Sequence, residues 1–372
     1  MGAEELYEVE FPPESIIRRR NNVESLKDLN GRDSYGGERT FNKSMSSRSE
    51  KATELLNQLV EFSALPEYLQ DNSFILRHYR ADWPLKHSLL SIFSMHNETF
   101  NIWSHLIGFL LFLGLTIYTA MHIPTIVEPS TLHKWQHEIN DVMPSYLQLN
   151  EALSSCVPGT FDGIHCVQKP ITRWPFFAFL GGAMFCMFAS TMCHLLGCRS
   201  AKTFYLLMRL DYAGIATLIA TSFFPPVYYS FMCNPALCKM YLGMITTMGV
   251  CSLLASMIPV FQTAEYRQVR AAVFCTMGLS GIVPCLHKIF LYHYEPLAYQ
   301  AFNMEIFMGG IYALSALIYA TRIPERWTPG TFDIIGNSHQ LFHVLVVAGA
   351  YVHYHGGLVY LKWRDVQGCP VS

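Results

Sequence analysis

Hydrophobic and polar positions divide this chain into two regimes. Up to about residue 97 polar, charged and apolar side chains are mixed; beyond it, long apolar runs alternate with short polar gaps. A hydrocarbon core about 30 Å thick is crossed by roughly 20 apolar residues in a helix. Seven stretches reach that length, at about 98–121, 173–196, 204–231, 239–261, 269–291, 302–321 and 338–361. The pattern predicts an all-α, seven-transmembrane helix bundle. Pro225-Pro226 predicts a kink late in the third span, and Trp103 suits an interfacial anchor near the start of the first.

The flanks read differently. Residues 1–48 carry Arg18-Arg19-Arg20 among Asn, Ser and Gly with little apolar material, the signature of a disordered tail. Residues 49–96 are read as cytosolic amphipathic helices. Leu55, Leu56, Leu59, Val60 and Phe62 recur at helical spacing up to Leu65-Pro66. A second helix starts at Pro84, with Leu85, Leu89, Ile92 and Phe93 on a face laid along the membrane. The seven-span domain, 97–361, includes a long polar loop at 122–171, and 362–372 form a short tail. A Cys156–Cys166 disulfide is expected in the loop if it faces an oxidising compartment.

Composition sharpens this picture. The chain is 51% hydrophobic and 15% charged, against roughly 25% charged in soluble domains. A net charge of −2 excludes bulk attraction to nucleic acid. The eleven cysteines include no CxxC pair, which argues against a structural zinc knuckle. No apolar stretch near Met1 reads as a signal peptide, so the first span is expected to direct insertion. Arg199, Lys202, Arg267, Arg270, Arg322 and Arg326 follow spans two, four and six. By the positive-inside rule the N-terminus is then cytosolic and the C-terminus extracellular or lumenal, opposite to a G-protein-coupled receptor. The sequons at Asn42 and Asn97 fall on the cytosolic side and are expected to be unused.

Candidate chemistry sits in the last apolar run. His339 and His343 are four residues apart, one above the other on a helix face. Ser190 and His194 share a face at the end of span two, and Asp211 lies on the same side early in span three. Histidines in apolar segments are costly and mark functional sites. His194, His339 and His343 are therefore the candidate ligands of one Zn2+, three imidazoles being the protein ligands of a catalytic-type site. Asp211 and Ser190 are the candidate catalytic groups: a base, and a hydroxyl that holds water or a developing oxyanion. The alternative is a structural zinc that clamps three helices. His96 and His105 read as capping or interfacial groups, and His353 as a group of the outer interface.

Several motifs carry a resemblance: His96-Asn97-Glu98-Thr99, Asn101-Ile102-Trp103-Ser104-His105, Ser190 to His194, Asp211-Tyr212-Ala213-Gly214-Ile215 and Ser338 to Gly349. Together they resemble the progestin and adipoQ receptor family, in its adiponectin-receptor branch. Tyr79-Arg80-Ala81-Asp82-Trp83-Pro84, Ile171-Thr172-Arg173-Trp174-Pro175 and the long first loop resemble its plant heptahelical members. The resemblance spans roughly Leu65 to Leu358. It implies a signalling membrane protein with a cytosolic N-terminus and an intramembrane zinc site on His194, His339 and His343, with Asp211 at the water and Ser190 beside it. For the plant members it implies hormone, sugar or stress responses, in the plasma membrane or an endomembrane. The implied partners are an unknown outer ligand and a membrane lipid, ceramide or a fatty acid, in the bundle. The implied alternative activity is hydrolysis of a lipid amide such as ceramide.

Overall fold

A computed structural model describes residues 58–122, 171–262 and 264–369. The expected tail 1–48 and the Cys156–Cys166 pair lie outside the described residues. The architecture is all-α. After α1 (Leu85–Leu90) come α2 (Thr99–His122), α3 (Trp174–Leu196), α4 (Ala201–Ser222), α5 (Phe224–Phe231) and α6 (Pro235–Met257). These are followed by α7 (Arg267–Leu279), α8 (Ile282–Leu291), α9 (Pro296–Thr321) and α10 (Ser338–Val366). Seven candidate membrane spans result, with α4–α5 and α7–α8 each forming one broken span.

Both breaks have a local cause. Helix α4 ends at Ser222, and α5 begins with Pro225-Pro226 in its first turn, where missing N–H groups leave no helical bond unmade. The fifth span breaks at Ser280-Gly281, which periodicity did not indicate. A Cβ on Gly281 would lie 2.9 Å from the Phe223 ring, so the two breaks pack together. Gly182 lies where α3 packs closely on α4, since a Cβ there would meet Thr221 Oγ1 at 2.0 Å. Gly181, Gly309 and Gly310 have nothing within 4 Å.

α3 is the most enclosed span; Phe176, Phe179, Leu180, Ala183 and Met187 on it are buried against Phe112 of α2 and Val346, Ala350 and Tyr354 of α10. Its neighbours therefore converge on α3 at both ends. At the end reached by α5 and α10, Arg364 donates to the carbonyls of Tyr229 and Ser230, and Arg173 pairs with Asp365 at 2.9 Å. Cys233 and Cys369 form a disulfide there, a pairing that no spacing in the sequence indicated. α10 continues past the expected end at 361 because Trp363, Arg364 and Asp365 are all buried in this cluster.

The segment before α2 departs from the helical expectation. Val60 pairs antiparallel with Tyr79, and short 3-10 turns at Phe62–Ala64 and Glu67–Leu69 replace the helix that Leu59, Val60 and Phe62 suggested. Leu65, Ile75 and Tyr79 bury together there, and that small core outweighs helical periodicity. α1 is short; Leu85, Leu89 and Leu90 on it, and Phe93 in the turn that follows, are exposed.

Candidate metal centre

Two helix ends deliver the three histidines. His194 lies in the last turn of α3, and His339 and His343 lie in the first two turns of α10. One ring nitrogen from each falls within 4.8 Å of the others. Nε2 of His194 and Nε2 of His339 are 3.3 Å apart. The ring centroids of His343 lie 4.9 Å from His194 and 4.7 Å from His339. The group can hold a metal ion. Ser190, buried, lies one turn before His194 on α3, and the Asp211 carboxylate of α4 is within electrostatic reach of both Ser190 and His194.

The start of α10 is held by a loop the sequence reading left unassigned. Glu325, fully buried, accepts from Ser338 N at 2.7 Å, from the Ser338 hydroxyl, and from Asn72 Nδ2 at 3.1 Å. Asn337 caps the helix by accepting from Gln340 N at 3.1 Å. A carboxylate at a helix N-terminus also meets the positive end of its dipole. The segment before α2 docks on this loop: Asp333 accepts from Leu76 N at 2.8 Å, and Gly330 N donates to Phe74 O at 3.0 Å.

The end of α3 is held from the same segment. Buried Arg80 donates to the carbonyls of His194 at 2.6 Å and Leu195 at 3.1 Å, a cation on the negative end of the helix. Next to it His96 is fully buried; its Nδ1 accepts from Glu98 N at 3.1 Å, the capping role expected of it. Burial first, and then the Arg80 charge, push the His96 pKa down to about 3.

Sequence reading missed part of the site. Glu98 Oε2 accepts from His194 Nδ1 at 2.7 Å, and Asn101 Nδ2 donates to the same oxygen. His343 Nδ1 lies 3.3 Å from both the Asn101 carbonyl and the Ser104 hydroxyl. His105, expected at the interface, is buried and stacks on His343 with centroids 3.7 Å apart. The available signal was the spacing: Glu98, Asn101 and His105 fall at i, i+3 and i+7, one face of a helix. His353 is likewise buried, edge-on to Phe179, rather than interfacial.

The fold and site together define a multi-pass integral membrane protein with seven candidate spans and a three-histidine group at one end of the bundle. Residues 93–354 match the Haemolysin-III related family, and the chain belongs to that family. It is 53% identical over 351 residues to heptahelical transmembrane protein 4 of Arabidopsis thaliana, covering 84% of this chain and 90% of that protein. It is 50% identical over 371 residues to heptahelical transmembrane protein ADIPOR3 of Oryza sativa subsp. japonica, covering 84% and 92%. The adiponectin receptor protein of Drosophila melanogaster is 36% identical over 301 residues, covering 80% of this chain and 59% of that protein.

Proposed function

We propose that this chain is an adiponectin receptor-like signalling protein whose inner centre holds zinc and cleaves an amide bond in a membrane lipid such as ceramide. The observation that carries the reading is the 3.3 Å separation of the His194 and His339 Nε2 atoms, with His343 beside them. Zn–N bonds of about 2.0–2.1 Å at tetrahedral angles set two ligand nitrogens about 3.3–3.4 Å apart. Three neutral imidazoles fit such an ion.

Bound zinc would supply Lewis-acid polarisation of a carbonyl and a water acidified toward ~7. The chain's own groups do the rest. Asp211 takes the proton of the attacking water, and the hydroxyl of Ser190 holds that water or the developing oxyanion.

Two independent features support a cytosolic site. Lys and Arg cluster in the gaps at the histidine end, as the positive-inside rule requires. The Cys233–Cys369 disulfide lies past the far end of α10, and disulfides persist on oxidising, non-cytosolic faces.

The test is hydrolysis of a ceramide panel by zinc-loaded protein in lipid nanodiscs. Free fatty acid should appear, and both His194→Ala and Asp211→Ala should abolish it. A zinc-loaded protein that releases none removes the enzymatic part. What then stands is a receptor, the reading that the Drosophila melanogaster adiponectin receptor protein favours by its name.

A further inference from the structure

One helix of the site contributes no candidate ligand, yet it touches two of the three. α2 begins at Thr99, and Glu98 sits just before it, its carbonyl accepting from Ile102 N at 3.0 Å. The Glu98 carboxylate is fixed from two sides, by Asn101 Nδ2 and by the positive end of α2. Its Oε2 then accepts from His194 Nδ1. One turn on, the Asn101 carbonyl and the Ser104 hydroxyl meet His343 Nδ1.

The consequence is chemical. A neutral imidazole carries one proton, and an acceptor at Nδ1 keeps it there. Nε2 is then left with its lone pair, in the tautomer a metal requires. With the proton on Nε2 instead, the same ring in the same place could not bind. Glu98 and Asn101 therefore select the ligating tautomer of His194 and His343, and they also fix the ring planes.

We propose that the inner end of α2 is the positioning element of the metal centre, with Glu98 as its principal residue. The proposal rests on the zinc reading above. Glu98 adds a negative charge next to a dication held by three neutral ligands, so it raises affinity as well as orientation. Glu98 is a positioning residue; nothing in the arrangement makes it a ligand.

The experiment compares intact wild-type protein with Glu98→Gln, Glu98→Ala and His339→Ala, in nanodiscs, with zinc as the probe. Zinc is measured by mass spectrometry and its affinity by chelator competition. Thermal melts are taken with chelator and with saturating zinc. Glu98→Ala should weaken zinc by roughly 10- to 100-fold while still filling at saturation. Glu98→Gln keeps an acceptor but loses the charge, so it should fall between Glu98→Ala and wild type. In chelator, wild type and Glu98→Gln should melt together, because the residue acts through the metal. His339→Ala should lose zinc outright.

Wild-type competition curves for both Glu98 variants, with loss in His339→Ala, overturn the positioning role and leave the three-histidine site standing. A Glu98→Gln melt lowered equally with and without zinc overturns it too, since that is a purely structural effect. Wild-type protein that binds no zinc overturns both readings. If Glu98→Ala fails to fold, the isosteric Glu98→Gln decides alone.

Discussion

The Nε2 atoms of His194 and His339 are separated by 145 residues of sequence and by 3.3 Å in space. Two ring nitrogens this close share either a proton or a cation. Removing any one of His194, His339 or His343 should therefore take bound zinc from about one per chain toward none. Melting temperature should fall with it, because binding is linked to folding. Asp211→Ala should retain zinc at saturation with weakened affinity. A His343→Ala protein with full zinc in mass spectrometry would refute the assignment.

Glu325 tests how the α10 start is held. Glu325→Ala leaves the Ser338 amide, the Ser338 hydroxyl and the Asn72 amide without their buried acceptor. The expected cost is about 2–4 kcal/mol, since each buried polar group left unsatisfied costs roughly 1–3 kcal/mol and such terms are not additive. Because His339 and His343 follow within two turns, zinc affinity should drop as well. Unchanged melts and zinc binding would mean that Asn337 alone suffices as the cap.

Lys288 is buried within its span, donating to Glu305 Oε2 and to the Tyr360 hydroxyl at 2.6 Å each. Breaking a buried pair from one side strands the other charge. Lys288→Met should destabilise by about 3–5 kcal/mol, and Lys288→Met with Glu305→Leu should recover much of that. Equal losses in the single and double variants would show that the pair acts through packing and not charge.

The disulfide gives a covalent test of topology. Peptides linked through Cys233 and Cys369 should appear in non-reducing mass spectrometry. A C-terminal tag should be reachable from the non-cytosolic side of intact membranes and an N-terminal tag from the cytosol. Reversed accessibility would remove both the orientation and the cytosolic placing of the centre.

His96 gives a pH dependence. Its folded pKa, about 3, lies below the ordinary histidine value of 6.5. Above 6.5 both states are neutral and pH has no effect through this group. Between 6.5 and 3 the unfolded chain takes a proton that the folded one refuses. Stability therefore falls as pH falls, with a limiting slope of about 1.4 kcal/mol per pH unit. With chelator present, His96→Gln should flatten that part of the profile relative to wild type. Parallel profiles would mean that His96 is protonated in place.

The number of spans was legible in the sequence because bilayer thickness alone sets the length of an apolar run. So was the grouping of His194, His339 and His343: helical spacing fixes a face, and the alternation of seven crossings fixes which ends share a depth. What the tertiary structure decided was the identity of the partners. Glu98 meets His194 across 96 residues, Asn72 meets Glu325 across 253, and Cys233 finds Cys369 across 136. No local period encodes such contacts. They depend on how far each helix runs past the hydrocarbon and on which neighbour its end faces, and packing around α3 determines both. The same packing turned Val60 and Tyr79 into a paired bridge where periodicity favoured a helix, because burying Leu65, Ile75 and Tyr79 together outweighs a local preference.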